Sequence, residues 1–216
     1  MQTKKLTTLA LFCAIAYAVM LLSKLIPPLF LGFLQYDPKD VIITLGGFIY
    51  GPVQAAVIAL VVAFLEFITV SDTGVIGLLM NVISSCTFAC TAAVLYKYRR
   101  TLGGAVTGLI CGCLFTTVAM LLWNYFITPI YMGMPRKAVA ALLLPAFLPF
   151  NLIKGGINAA IMLLIYKPVV SALRKARLAP PSTVRIDGQG AKLHLPVAIV
   201  AGITLLCLIG AILILQ

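Results

Sequence analysis

The stretch Gly104–Phe126, GAVTGLICGCLFTTVAMLLWNYF, contains no charged residue. A helix needs about 20 mostly apolar residues to cross a hydrocarbon core of roughly 30 Å, and this stretch has that length. Gly104, Gly108 and Gly112 repeat every four residues along it, a spacing that favours close contact with a neighbouring helix. The stretch therefore predicts a transmembrane helix inside a bundle.

Apolar blocks of this kind recur through the chain. Of its 216 residues, 62% are hydrophobic and 10% are charged, whereas soluble proteins are about half apolar and about a quarter charged. We expect an all-α integral membrane protein. Its predicted parts are a six-helix membrane domain over residues 1–173, a cytoplasmic linker over 174–194 and an additional C-terminal transmembrane helix over 195–216. The six helices are predicted at 6–26, 41–50, 53–70, 75–96, 104–131 and 147–173, with an outer loop at 133–145.

The second of these helices, residues 41–50, is too short to cross the membrane alone. The loop before it, residues 27–40, must therefore dip inward. Backbone at that depth is tolerated only where it is buried in protein or lines a cavity.

Charge gives the expected orientation. Eleven of the sixteen basic residues fall in segments that share one side of the membrane with the amino terminus, which predicts a cytoplasmic amino terminus in a cell membrane. The basic residues form no stripe typical of nucleic-acid binding. The spacing of the six cysteines and one histidine suggests no metal site, and the predicted helices carry no catalytic set, so we expect no enzyme.

Ionisable and amide side chains inside predicted helices are the candidates for function, because each is costly in a membrane. Several converge at one depth in the outer half: Glu66, Asn81, Asn124, Asn151, Lys154 and, one turn deeper, Asn158. The alternative is that the asparagines form interhelical hydrogen bonds and that Lys154 reaches the interface. Glu66 is the weakest candidate, since it could pair with a cation or reach the interface.

Aromatic residues occur at the same level, and Phe33 and Tyr36 in the outer loop are the hardest to explain as an interfacial belt. A pocket of aromatic faces, amides and one lysine suits a flat, largely uncharged ligand rich in hydrogen-bonding groups. On the first helix, Ala10, Ala14 and Ala18 form a second small-residue stripe, which serves either internal packing or contact with a partner.

These residues resemble a known family, the substrate-binding subunits of energy-coupling-factor (ECF) vitamin transporters, and in particular its riboflavin type. The resemblance covers about residues 1–173. Its features are the alanine stripe, the loop Leu34-Gln35-Tyr36-Asp37-Pro38-Lys39-Asp40, the short helix ending Phe48-Ile49-Tyr50-Gly51-Pro52, Asn124, and Asn151-Leu152-Ile153-Lys154-Gly155.

The resemblance implies a non-enzymatic subunit of a bacterial cell membrane that binds riboflavin as transported ligand rather than cofactor, with flavin mononucleotide (FMN) as a second candidate ligand. It implies ligand contacts by Asn124, Asn151 and Lys154. It also implies that the alanine stripe docks on a transmembrane coupling subunit carrying two cytoplasmic ATPases, and that the whole subunit topples during transport. A subunit for another vitamin such as thiamine, a membrane-embedded enzyme and a scaffold protein remain alternatives. The additional C-terminal helix departs from the family pattern.

Overall fold

A computed structural model describes residues 2–25 and 34–179. These residues form α1 (Gln2–Ser23), α2 (Lys39–Tyr50), α3 (Pro52–Thr69), α4 (Gly74–Tyr98), α5 (Leu102–Phe126), α6 (Thr128–Met132), α7 (Arg136–Leu142), a π-helical turn (Leu143–Phe147) and α8 (Leu148–Lys175). Phe33, most of the predicted linker and the predicted seventh helix lie outside the described residues.

Five helical segments are long and apolar enough to cross a membrane: Thr3–Ser23, Pro52–Thr69, Gly74–Tyr98, Leu102–Phe126 and Arg136–Lys175. Helix α2, with 12 residues, reaches only about 18 Å at the helical rise and does not span. It is held instead among α1, α3, α4 and α8, and most of its residues are buried. The predicted helical membrane fold, with a short second helix inside it, is confirmed for the described part of the chain.

The glycine stripe of α5 packs directly on the backbone of α4. A methyl group added at Gly108 would lie 2.7 Å from the carbonyl oxygen of Ala92, and one added at Gly112 would lie 2.7 Å from that of Phe88. Because a real Cβ cannot approach a backbone oxygen so closely, glycine alone allows this separation. The expectation of internal packing is confirmed for these residues.

The predicted outer loop over 133–145 is wrong in extent. Only Gly133–Pro135 are non-helical, and the chain then runs without a break through α7 and the π-helical turn into α8. Pro145 lies inside the π-helical turn. A proline lacks the amide proton of a regular helix and crowds the preceding turn, and the wider π-helical turn accommodates both effects.

Two predicted helix ends also differ. Helix α1 ends at Ser23 rather than at residue 26. Helix α5 ends at Phe126 rather than at residue 131, because the chain restarts as the separate helix α6, which has Pro129 in its first turn. The short α6 and α7 carry the chain across the same end of the bundle as the segment before α2, and this end contains the site.

Candidate functional site

A cavity of about 390 Å³ opens at the end of the bundle where α3 and α5 finish and where α4 and α8 begin. Its wall combines residues 34, 35 and 37 with the ends of α1 and α3, the turn 71–73, α4, α5, α6 and the start of α8. Its volume falls within the range for sites that enclose a drug-sized ligand. Four of the predicted binding residues line it: Asn81, Asn124, Asn151 and Lys154.

Two asparagines in the wall hydrogen-bond within their own chain segment, not between neighbouring spanning helices. The Asn124 amide nitrogen donates to the Met120 carbonyl at 2.7 Å, and its oxygen accepts from Thr128 at 2.8 Å. The Asn151 amide nitrogen donates to the Phe147 carbonyl at 2.7 Å. These local bonds fix the rotamers, and each amide nitrogen carries a second hydrogen that a ligand can use.

Tyr36 and Asn158 form a pair beside the cavity rather than in its wall. The Tyr36 hydroxyl donates to the Asn158 side-chain oxygen at 2.8 Å, and Asn158 is fully buried. Tyr36 also packs on the cluster of Phe150, Ile153 and Ile157 on α8. Tyr36 therefore attaches the segment before α2 to α8, and its contact with the ligand stays a prediction.

Lys154 faces inward, not toward the membrane interface. It lines the cavity, its side chain is 16% exposed, and its ammonium nitrogen lies 3.7 Å from a carboxylate oxygen of Asp40. The other oxygen of Asp40 accepts a hydrogen bond from the Ser85 hydroxyl at 2.5 Å. The alternative in which Lys154 extends along the helix to the interface is wrong.

A second lysine, Lys39, occupies the first turn of α2 and was not predicted as part of the site. Its side chain is only 2% exposed, and its ammonium group lies 2.7 Å from Asp37 and 2.5 Å from Glu66. The Asp37 carboxylate also accepts the Lys39 backbone amide at 3.0 Å. Glu66 thus pairs with a cation, one of the two outcomes expected for it.

Burial and charge oppose each other at this ion pair. Burial alone raises the pKa of the Asp37 carboxyl, but the nearby charges of Lys39 and Lys154 outweigh it and hold that pKa below its ordinary value. Burial alone lowers the pKa of Lys39, and the charges of Asp37, Glu66 and Asp40 reverse this and raise it. Both groups are therefore charged at neutral pH.

Three carboxylates, Asp37, Glu66 and Asp72, belong to the cavity wall. The sequence predicted a pocket of aromatic faces, amides and one lysine, suited to a largely uncharged ligand. Lys39 neutralises two of the three by direct contact. Asp72 is exposed, so the wall is less acidic than the count of carboxylates implies.

Lys39 and Asp40 were missed because the sequence places them at the end of a polar loop, outside any spanning block. The one signal that could have found them is the shortness of helix 41–50, which already required the preceding loop to enter the protein. Ser85 gave no signal, since serine is common in membrane helices.

The alanine stripe lies apart from the cavity. Ala10, Ala14 and Ala18 are all exposed along one side of α1, while Ala16 on the opposite side is completely buried. Internal packing within the described chain therefore does not explain the stripe. It remains a candidate surface for a partner.

Comparisons with known proteins agree with this architecture. A family model described as "ECF transporter, substrate-specific component" matches residues 4–166. The chain is 29% identical over 181 residues to the riboflavin transporter RibU of Staphylococcus aureus, covering 81% of this chain and 94% of that protein. It is 29% identical over 190 residues to the riboflavin transporter FmnP of Bacillus subtilis, covering 82% and 100%.

A solved structure of the S component of a bacterial ECF transporter matches the fold with a TM-score of 0.70 and 28% identity, covering 81% of this chain and 99% of that one. The RibU protein of Streptococcus thermophilus is 27% identical over 185 residues, covering 81% of this chain and 86% of that protein.

Proposed function

Because the chain belongs to the family of substrate-specific components of ECF transporters, we propose that it binds riboflavin in the cavity beneath residues 34–37 and delivers it for uptake across the cell membrane. It is a transport subunit and not an enzyme. The observation that carries the proposal is the convergence of Asn81, Asn124, Asn151 and Lys154 on one cavity. The names of the relatives select the vitamin.

The chemistry of the wall suits this ligand. Riboflavin combines a flat three-ring system, whose edge carries carbonyl oxygens and an imide N–H, with a chain of hydroxyl groups. Phe147 and Phe150 supply aromatic surface to the cavity, and the asparagine amides both donate and accept hydrogen bonds. Lys154 supplies a charged donor suited to a carbonyl oxygen.

The orientation follows from charge. Basic residues dominate the end of the bundle opposite the cavity, where Lys4, Lys5, Lys97, Arg99, Arg100 and the last turn of α8 lie. By the positive-inside rule that end is cytoplasmic, so the cavity opens to the outside of the cell. A vitamin outside the cell can therefore enter the cavity directly.

A second surface supports coupling. The exposed alanines of α1 leave a smooth strip on which another helix can pack closely. The strip fits a transmembrane coupling subunit, which would link this chain to two cytoplasmic ATPases. Toppling of the whole subunit in the membrane would then carry the cavity from one side to the other.

The test is direct binding with the protein purified in detergent. Riboflavin fluorescence is quenched when the ring enters a protein, so titration gives the affinity, and a yellow preparation would already show a bound flavin. Asn151→Ala and Lys154→Met are expected to weaken binding by about tenfold or more, the size of a lost charge-assisted or buried hydrogen bond.

Lys137→Met, which removes an exposed lysine on α7 outside the cavity, is the matched control. Flavin mononucleotide and thiamine are titrated in parallel. Binding of thiamine without binding of riboflavin would reject the proposed vitamin, and no binding of any of the three would reject the site.

A further inference from the structure

The first turn of α2 joins the cavity to three other helices. Lys39 contacts Glu66 on α3, and the next residue, Asp40, contacts Ser85 on α4 and faces Lys154 on α8. Asp40 is 2% exposed and is absent from the cavity wall. It cannot touch a ligand in this arrangement, yet it lies directly behind a residue that can.

We infer that Asp40 is a positioning residue for Lys154, the lysine that lines the cavity. Together with Ser85, Asp40 holds the Lys154 ammonium group toward the cavity and leaves the hydrogen-bond donors of that group available to a ligand. The inference rests on the proposed function of the cavity, which it deepens by assigning a role to two residues outside the wall.

The separation between Asp40 and Lys154 supports this positioning role. The Asp40 carboxylate oxygen lies 3.7 Å from the Lys154 nitrogen, which is too long for a hydrogen bond but close enough for a strong attraction at low dielectric. The ammonium group has three donors, and Asp40 aligns the group while leaving those donors for a ligand. A direct hydrogen bond would have held one of them away from the cavity.

Asp40 itself is held firmly. Its second carboxylate oxygen accepts the Ser85 hydroxyl at 2.5 Å, and its backbone carbonyl accepts the Thr44 hydroxyl at 2.6 Å. Its place in the first turn of α2 also suits a negative charge, because the amino-terminal end of a helix carries a partial positive charge. A buried carboxylate anchored in this way is a rigid reference point for the flexible side chain of Lys154.

The Asp40–Lys154 pair lies beside the ion pairs of Lys39. Lys39 lies between Asp37 and Glu66 at 2.7 Å and 2.5 Å, so those two carboxylates have a cation in contact. Asp40 and Lys154 form a further pair of opposite charges, while Lys154 also attracts Asp37 and Lys39 also attracts Asp40 at longer range. Removal of either leaves the other without its closest counter-charge.

The test is a double-mutant cycle with riboflavin affinity as the readout, in the full-length protein in detergent. Asp40→Asn keeps the shape and is expected to weaken riboflavin binding about tenfold, with Ser85→Ala, a milder change, weakening it several-fold. In the Lys154→Met background, neither substitution should weaken binding further, because the residue through which they act is gone.

Equal weakening by Asp40→Asn in both backgrounds would overturn the inference and assign Asp40 a general structural role. Unchanged affinity in Asp40→Asn, while Lys154→Met loses binding, would also overturn it and leave the proposed function intact. Failure of the unmodified protein to bind riboflavin would instead refute the proposed function. If Asp40→Asn does not fold, the Ser85→Ala arm of the cycle gives the same decision.

Asp40→Glu provides an independent readout. It keeps the charge but extends the side chain by one methylene, so it is expected to restore part of the affinity lost in Asp40→Asn. Absence of any recovery relative to Asp40→Asn, in a protein of unchanged thermal stability, would show that the charge behind Lys154 is irrelevant and would overturn the inference.

Discussion

Replacement of Lys39 by methionine tests whether the buried ion pairs hold the site end of the molecule together. Methionine fills most of the volume of the lysine stem but removes the charge that serves both Asp37 and Glu66. Loss of one partner of a buried ion pair costs about 3–5 kcal/mol, because the other partner stays buried and uncompensated. Here two carboxylates lose their contact cation at once, which favours the upper part of that range.

This loss of stability lowers the melting temperature. For a chain of this size, about 1 kcal/mol corresponds to about 2–4 °C, so a loss of about 4–5 kcal/mol in Lys39→Met is expected to lower the melting temperature by about 8–20 °C. The assay is thermal unfolding of the ligand-free protein in detergent, followed by intrinsic fluorescence at one fixed heating rate.

Two further variants sharpen the comparison. Lys137→Met makes the same chemical change at an exposed position on α7 and should leave the melting temperature unchanged. Glu66→Gln leaves Lys39 paired with Asp37 and should have an intermediate effect. A melting temperature for Lys39→Met that matches the Lys137→Met control would refute the reasoning, since it would mean that the ion pairs contribute no net stability.

Three more predictions concern other parts of the molecule. Gly112→Ala should destabilise the protein by about 1–3 kcal/mol in the same unfolding assay, because the added methyl would lie 2.7 Å from the Phe88 carbonyl oxygen. Gly103→Ala is the control and should have no such effect, since the nearest atom lies 4.0 Å away. Equal melting temperatures for the two variants would contradict the close packing of α4 and α5. The Asp37–Lys39 pair should contribute its full stability between about pH 4 and about pH 10. This stability should be lost at lower pH as Asp37 is protonated at its lowered pKa, and at higher pH as Lys39 deprotonates at its raised pKa. A melting temperature that changes steeply with pH near neutrality in the unmodified protein but not in Lys39→Met would contradict this prediction. Ala14→Leu should leave riboflavin binding unchanged but reduce riboflavin uptake by cells that contain the coupling subunits. Ile15→Leu, on the same exposed side of α1, is the control. Normal uptake by Ala14→Leu would remove the alanine stripe from the proposed interface.

The sequence predicted the membrane fold well because the physical signals were strong. Long apolar blocks must lie in a bilayer, and the glycine spacing on α5 required a close neighbour, which the structure identifies as α4. The polar residues at one depth were grouped correctly, since Asn81, Asn124, Asn151 and Lys154 share one cavity. In each case one local pattern was enough.

The failures arose where local patterns compete with the rest of the molecule. The segment 133–145 was predicted as a loop, but α7 and a π-helical turn keep most of it helical. The hydrogen bond of Tyr36 to Asn158 beside the cavity was not predicted either. Lys39 has loop-like neighbours in sequence, and only the positions of Asp37 and Glu66 in three dimensions explain how a lysine can be buried there.

The buried charge on the short helix α2 also constrains how the protein is made. Lys39 is the first residue of α2, and α2, with 12 residues, is too short to span a bilayer on its own. Of the charged partners described above, only Asp37 precedes Lys39 in the chain, whereas Glu66 and Lys154 are synthesised later. The contact of Lys39 with Glu66 can therefore form only after α3 has been made, and the Asp40–Lys154 pair only after α8 has been made. The buried charged group is complete only once α8 is in place, and a chain truncated before α8 would lack the partner of Asp40.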